Sequence, residues 1–376
     1  MNEPTPKQFG AQLGVYSVSH AAVDFACGYF GTAFCWPHPD GFAAIVIYNA
    51  FAFAGQMPLG IFADRINRNA PVAAVGCVLV AVALLIHTPD ILIPCAVIAG
   101  IGNACFHMGG GIDVLNASGK KSGPLGIFVA PGTVGLFLGL KLGLENDATL
   151  ALPLAALAVS AIAIVVLQKA AFGDFVSRNV PLSFRMESPR STPWVLLAVA
   201  ALFFIVAMRA YVGFTLSFDW KEEWHWAAIL IVAIFAGKTM GGILSDHIGM
   251  QRTAIATLLL SATLFMFPDV PVAGVIAVFC FNMTMPMTLW ALSQIFSRAK
   301  GFAFGTLTCA LFVGVAVTYV HPAPLLPMGW GFSLATLLSL VLLVSALVCL
   351  PGGKDNAKTS QPDAAPGTDA SPRIQG

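Results

Sequence analysis

Charge is what this 376-residue chain has least of: Asp, Glu, Lys and Arg make up 10% of it, 19 basic against 18 acidic, for a formal charge of +1. A soluble domain carries about a quarter charged residues. Much of the little charge here sits in residues 1–8, 169–193 and 351–376, so the remainder cannot wet a globular surface. That excludes a soluble enzyme and a nucleic-acid binder. The eight cysteines form no C-x-x-C pair. They are expected to pack as small hydrophobes, because a thiolate metal site needs clustered ligands. Neither H-E-x-x-H nor D-D-x-x-D occurs, so a zinc hydrolase and a metal-dependent lipid transferase are excluded, and no enzymatic activity, cofactor or metal is expected. The first apolar run has no A-x-A cleavage site and reads as a retained span.

What is present is apolar sequence: 57% of the residues are hydrophobic and mean hydropathy is +0.82. A membrane-crossing helix needs about 20 mostly apolar residues. Twelve such runs lie near 10–33, 41–62, 71–87, 91–115, 124–144 and 148–168, then 194–218, 225–244, 253–268, 271–296, 301–320 and 329–350. None alternates with period two, which excludes spanning strands. With the N-terminus inside, the inner loops collect Lys7, Arg65, Arg68, Lys120, Lys121, Lys169, Arg178, Arg185, Arg190, Arg252, Arg298 and Lys300. Positive loops stay cytoplasmic, so both termini are expected inside. The expected organisation is a six-helix bundle over 1–168, a cytoplasmic linker over 169–193 and a second six-helix bundle over 194–350. A disordered cytoplasmic tail is expected over 351–376.

The halves repeat. Sliding the second back by 182 residues lays Ala236-Gly237-Lys238 over Ala54-Gly55-Gln56 and Gly242-Ile243-Leu244-Ser245-Asp246 over Gly60-Ile61-Phe62-Ala63-Asp64. Both blocks close the second span of their half. At these residues the chain resembles the major facilitator superfamily, whose loop after the second span reads G-x-x-x-D-R-x-G-R-R or near it. Gly60, Asp64, Arg65 and Arg68 match, with Asn67 in place of the usual Gly; the second copy has Gly242, Asp246, Gly249 and Arg252, with His247 for Arg. The resemblance implies an all-α membrane fold of two pseudo-symmetric six-helix bundles. It also implies that Asp64 meets the start of the eleventh span near Gly301, as part of a gate. A narrower likeness, in Ser19-His20-Ala21-Ala22-Val23-Asp24, Cys105-Phe106-His107 and Ala207-Met208-Arg209, is to the fosmidomycin-resistance branch. There, His107 is followed by Met108-Gly109 instead of Pro and an acid.

An ionisable group at mid-membrane costs roughly 2.5–3.5 kcal/mol, so it marks function by default. Asp24, His107, Arg209 and Lys238 are such groups, and His20 lies one turn before Asp24. Asp24 with His20 and His107 reads as a proton-coupling set; a fixed Asp24–Arg209 ion pair is the alternative. Arg209 and Lys238, with Gln56 and Trp290, read as the solute cavity. Lys238 aligns with Gln56 in the repeat, and its alternative is to snorkel toward the cytoplasm. One acid against two cations predicts an anionic or zwitterionic solute. Pro131 and Pro286 are expected to break helices where they line a cavity.

These readings converge on a secondary transporter in the inner (plasma) membrane, working as one chain in the lipid bilayer. Its partners are a small-molecule solute and protons. The expected direction is efflux. Uptake of an organic anion is the other reading, because Gly139-Leu140-Lys141-Leu142-Gly143 departs from the G-P-x-x-G-G of the superfamily's antiporters.

Overall fold

The computed structural model describes residues 4–145 and 149–350; the expected tail, 351–376, lies outside them. Apolar sequence broken by short polar turns gives twelve helical rods. They are α1 Pro6–Phe30, α2 Gly41–Ile66, α3 Asn69–Ile86, α4 Pro89–Ser118, α5 Gly123–Gly143 and α6 Ala151–Phe172, then α7 Thr192–Thr215, α8 Trp224–Ile248, α9 Met250–Phe265, α10 Pro271–Ile295, α11 Lys300–Val320 and α12 Trp330–Leu347. Ten are long and apolar enough to cross a membrane. The exceptions are α1, whose Gln8, Gln12, His20 and Asp24 lower its hydropathy, and α9, which is 16 residues long. Thr5 and Gln8 close a capping box at the start of α1, and a π-helical turn, Gly31–Cys35, extends its far end.

Two prolines shape the interior. Pro131 has no N–H to give to the carbonyl of Ile127, and α5 breaks at Ala130 into Gly123–Val129 and Pro131–Gly143. Pro286 likewise cannot bond Asn282, and α10 breaks at Met283, three residues before it. Small residues set how closely the rods approach. A methyl on Gly28, Gly135 or Gly139 would overlap backbone across the α1–α5 contact. Without a hydrophobic force between helices in lipid, such close backbone approach is what packs them.

The halves meet along two seams, α2 against α11 and α5 against α8, which the sequence repeat relates to each other. Glycine again permits the contact: a methyl on Gly60 would overlap the Gly301 carbonyl, and one on Gly242 would overlap that of Ser122. Outward, Val18, Val78, Val159, Leu196, Val232 and Val341 stand more than half exposed, an apolar belt suited to lipid. Trp36, Trp194, Trp224 and Trp330 are exposed at rod ends, as interfacial aromatics are. Of the cysteines, Cys309 is partly buried and the others are buried, none in a disulfide.

Candidate functional site

One turn of α1 brings His20 and Asp24 to the same face, and α4 adds His107. His20 Nε2 lies 3.2 Å from Asp24 Oδ2, His107 Nε2 lies 3.7 Å from Asp24 Oδ1, and the two Nε2 atoms are 2.9 Å apart. Asn103, one turn before His107, donates to Asp24 Oδ1 at 3.3 Å. Gly132 leaves the room, since a methyl there would overlap both Asp24 and His20. The other titratable groups whose fields reach this cluster are Lys238 on α8, Tyr48 on α2 and Cys27 on α1.

Backbone carbonyls fix both imidazoles. His20 Nδ1 donates to the Phe128 carbonyl at 2.8 Å, and His107 Nδ1 to the Asn103 carbonyl at 2.9 Å. A carbonyl can only accept, so each Nδ1 carries hydrogen and each neutral ring turns an Nε2 lone pair inward. The break at Pro131 supplies part of this frame: Ser17 bonds the Ile127 carbonyl that Pro131 leaves free, and His20 takes the next one. Three acceptors therefore converge, and among the described residues the donor that reaches them is the Asn103 side-chain amide, on Asp24 Oδ1.

Such a centre suits a small cation, and among the described residues this is the one group of three or more His, Cys, Asp or Glu placed to share an ion. A tetrahedral metal with bonds of about 2.05 Å sets its ligand nitrogens about 3.3 Å apart. The observed 2.9 Å is the length of a hydrogen bond. The two imidazole–carboxylate separations, 3.2 and 3.7 Å, lie on either side of the metal value.

The cations lie across from it. Lys238 Nζ donates to Thr133 Oγ1 at 2.6 Å over the α5–α8 seam, so the ammonium is held at Thr133 and does not snorkel toward the helix end. Arg209 is buried on α7, its Nη1 3.4 Å from Thr284 Oγ1 and from Thr288 Oγ1. Both hydroxyls donate to backbone carbonyls and offer Arg209 only lone pairs. Among the described residues neither Arg209 nor Lys238 has a carboxylate within 4.0 Å; the ion pairs present all involve histidine. The alternative of a fixed Asp24–Arg209 pair is thus not what the structure contains. Gln56 is buried, its Nε2 on the Ala52 carbonyl and its Oε1 without a partner among the described residues; the Trp290 indole N–H is likewise unpartnered.

The repeated motif forms two matching contacts. Asp64 accepts from the Gly301 amide at 2.9 and 3.0 Å and from Phe302 at 3.2 Å, at the start of α11. Asp246 accepts from the amides of Ser122 at 2.7 Å and Gly123 at 2.8 Å, at the start of α5. Each carboxylate meets exposed N–H groups and the positive end of a helix dipole. Arg65, Arg68 and Arg252 are exposed beside them.

Sequence reasoning passed over Asp113, an acid inside α4 that makes the interior two acids against two cations. It is locked by Tyr16 at 2.7 Å and Asn69 at 2.8 Å. Its signal was a lone carboxylate in an apolar run. Asn103 had one too, four residues before His107. Thr133, Thr284 and Thr288 had none, because threonine is common in such helices.

No protein-family profile matches the chain, and neither does any curated protein sequence. Solved structures do. The transporter FucP in its outward conformation matches at 12% identity with a TM-score of 0.64, covering 90% of this chain and 97% of that one. The fold is that of the major facilitator superfamily. A variant of the E. coli fucose:proton symporter FucP matches at 13% identity and TM-score 0.58, covering 90% and 97%. The human organic anion transporter MFSD10 matches at 12% and 0.64, covering 91% of this chain and all of that one. With ten apolar rods on a major facilitator fold, the chain is a multi-pass membrane protein.

Proposed function

We propose that this chain is a proton-coupled secondary transporter of a small organic anion or zwitterion, working by alternating access between its two six-helix halves. All twelve rods would cross the membrane of the cell, with both termini and the Asp64 and Asp246 contacts on the cytoplasmic side. One chain supplies both halves. The observation that carries the reading is the convergence of His20, His107 and Asp24, whose closely spaced inward acceptors favour a shared proton. Loading or emptying that centre changes the charge opposite Lys238, and so shifts the balance between inward-open and outward-open states. Arg209 and Lys238, lacking an internal carboxylate, favour an anionic solute. That one structural neighbour is an organic anion transporter agrees with this.

The proposed direction is export, from the likeness of the first, fourth and seventh spans to a resistance branch. Uptake is favoured by Lys141, which stands where antiporters carry a Pro-Gly motif. Proteoliposomes holding a pH-sensitive dye test the coupling, with a panel of carboxylates and phosphonates added outside. The parent is expected to show anion-dependent proton movement. Asp24→Asn should show none while still exchanging anion at equal concentrations. Undiminished proton movement in Asp24→Asn would remove the cluster from coupling.

A further inference from the structure

The segment joining the halves is not a slack tether. Residues 173–191 run without helix between α6 and α7 and dock on both bundles. On the first, Ser177 N–H donates to the Asn67 carbonyl at 2.8 Å, and the Ser177 hydroxyl accepts from the Asn69 amide at 2.6 Å. Asn179 is tied on every side. Its N–H donates to Asn67 Oδ1 at 2.8 Å, its Oδ1 accepts from Asn69 at 2.8 Å and Asn116 at 2.9 Å, and its Nδ2 donates to the Ala63 carbonyl at 3.1 Å. On the second bundle, Ser183 N–H donates to the Arg298 carbonyl at 3.2 Å and Glu187 N–H to that of Ile295 at 2.8 Å. The Phe184 ring meets Phe302 edge-on at 5.2 Å.

Both docks flank one contact. Ala63, Asn67 and Asn69 surround Asp64, and Phe302 is one of the residues whose amide Asp64 holds. Asn67 itself is unusual. Its φ of 53° makes it the one described non-glycine residue in the left-handed region, where Gly249 stands at φ 94° in the second copy of the motif. Asparagine tolerates that backbone better than most residues. Among the described residues the segment docks on the copy with Asn67, in part through the side chain that glycine lacks.

We infer that residues 177–187 are a strap that holds the Asp64–Gly301 contact shut, with Asn67 and Asn179 as its positioning residues. The inference rests on the reading that the halves separate along this seam. It requires nothing about protons or solute.

Hydrogen exchange by mass spectrometry on the full chain in nanodiscs reads it directly, because Asp64 protects the amides of Gly301 and Phe302. Asn67→Gly keeps the left-handed backbone and removes only the docking side chain, so it leaves the fold intact; Asn179→Ala is the partner variant, and Asp64→Asn sets the rate of the open contact. In both strap variants the peptide spanning 300–306 is expected to exchange about fivefold faster, the factor of one lost hydrogen bond. If the amides of Ser177 and Asn179 speed up while those of Gly301 and Phe302 keep the parent rate, the segment is docked but holds nothing, and the inference fails. Exchange unchanged everywhere also overturns it. Because the readout is amide protection, a chain that moved no solute would still show whether the strap holds.

Discussion

At the scale of single residues, the interior is defined by what its charges do not touch. Among the described residues the hydrogen-bond partners of Arg209 are two threonine hydroxyls at 3.4 Å, too long for strong bonds, and its planar fork suits a two-oxygen anion. A ligand that binds the folded state stabilises it by mass action, by about 2.7 kcal/mol at a hundredfold excess over Kd, and so raises the melting temperature. Carboxylates and phosphonates are therefore expected to raise it in a thermal-shift panel on the purified protein. Arg209→Lys should weaken that effect roughly tenfold in concentration, since the paired bonds are lost while the charge stays. Stabilisation by amines or neutral sugars, unchanged in Arg209→Lys, would make the guanidinium structural. Asp24 differs: His20, His107 and Asn103 crowd it, and among the described residues no Lys or Arg is paired with it.

At the scale of elements, the break in α5 couples helix geometry to the cluster. Proline inside a helix costs about 3 kcal/mol, yet here it frees the carbonyl that Ser17 takes and bends the chain where Phe128 fixes the His20 ring. Pro131→Ala is expected to raise the melting temperature while lowering proton-coupled flux, as the straightened helix reclaims its carbonyls. Higher stability with flux intact would mean that the His20 ring is held by other means. Twelve runs, the repeat and the isolated charges were legible in the sequence because burying charge in lipid is costly and rare, so each one stands out. Pro131 was legible as a break, but not the carbonyls it releases, because which side chain takes a freed acceptor depends on a second helix. The extended course of 173–191 was invisible for the same reason: a polar segment reads as linker whether or not anything binds it. Asn67 was visible only as a departure from the motif, and its φ gives the departure a purpose.

At the scale of the whole molecule, two related seams close the same end. Asp246 accepts from Ser122 and Gly123 as Asp64 does from Gly301 and Phe302. Hydrogen bonds to a charged group contribute about 1.5–3 kcal/mol each. Asp246→Asn is accordingly expected to shift the population toward the state open at this end by about tenfold or more, read as faster amide exchange at Ser122 and Gly123. Parent-like exchange would mean that glycine packing alone holds the α5–α8 seam. The seams are alike in carboxylate, glycine and helix end, but the 173–191 segment braces only the one between α2 and α11. A book bound along one edge opens at the other. The halves should thus part first between α5 and α8 and only afterwards between α2 and α11, and the first path into the interior would run past Lys238 and Thr133, beside His20, Asp24 and His107.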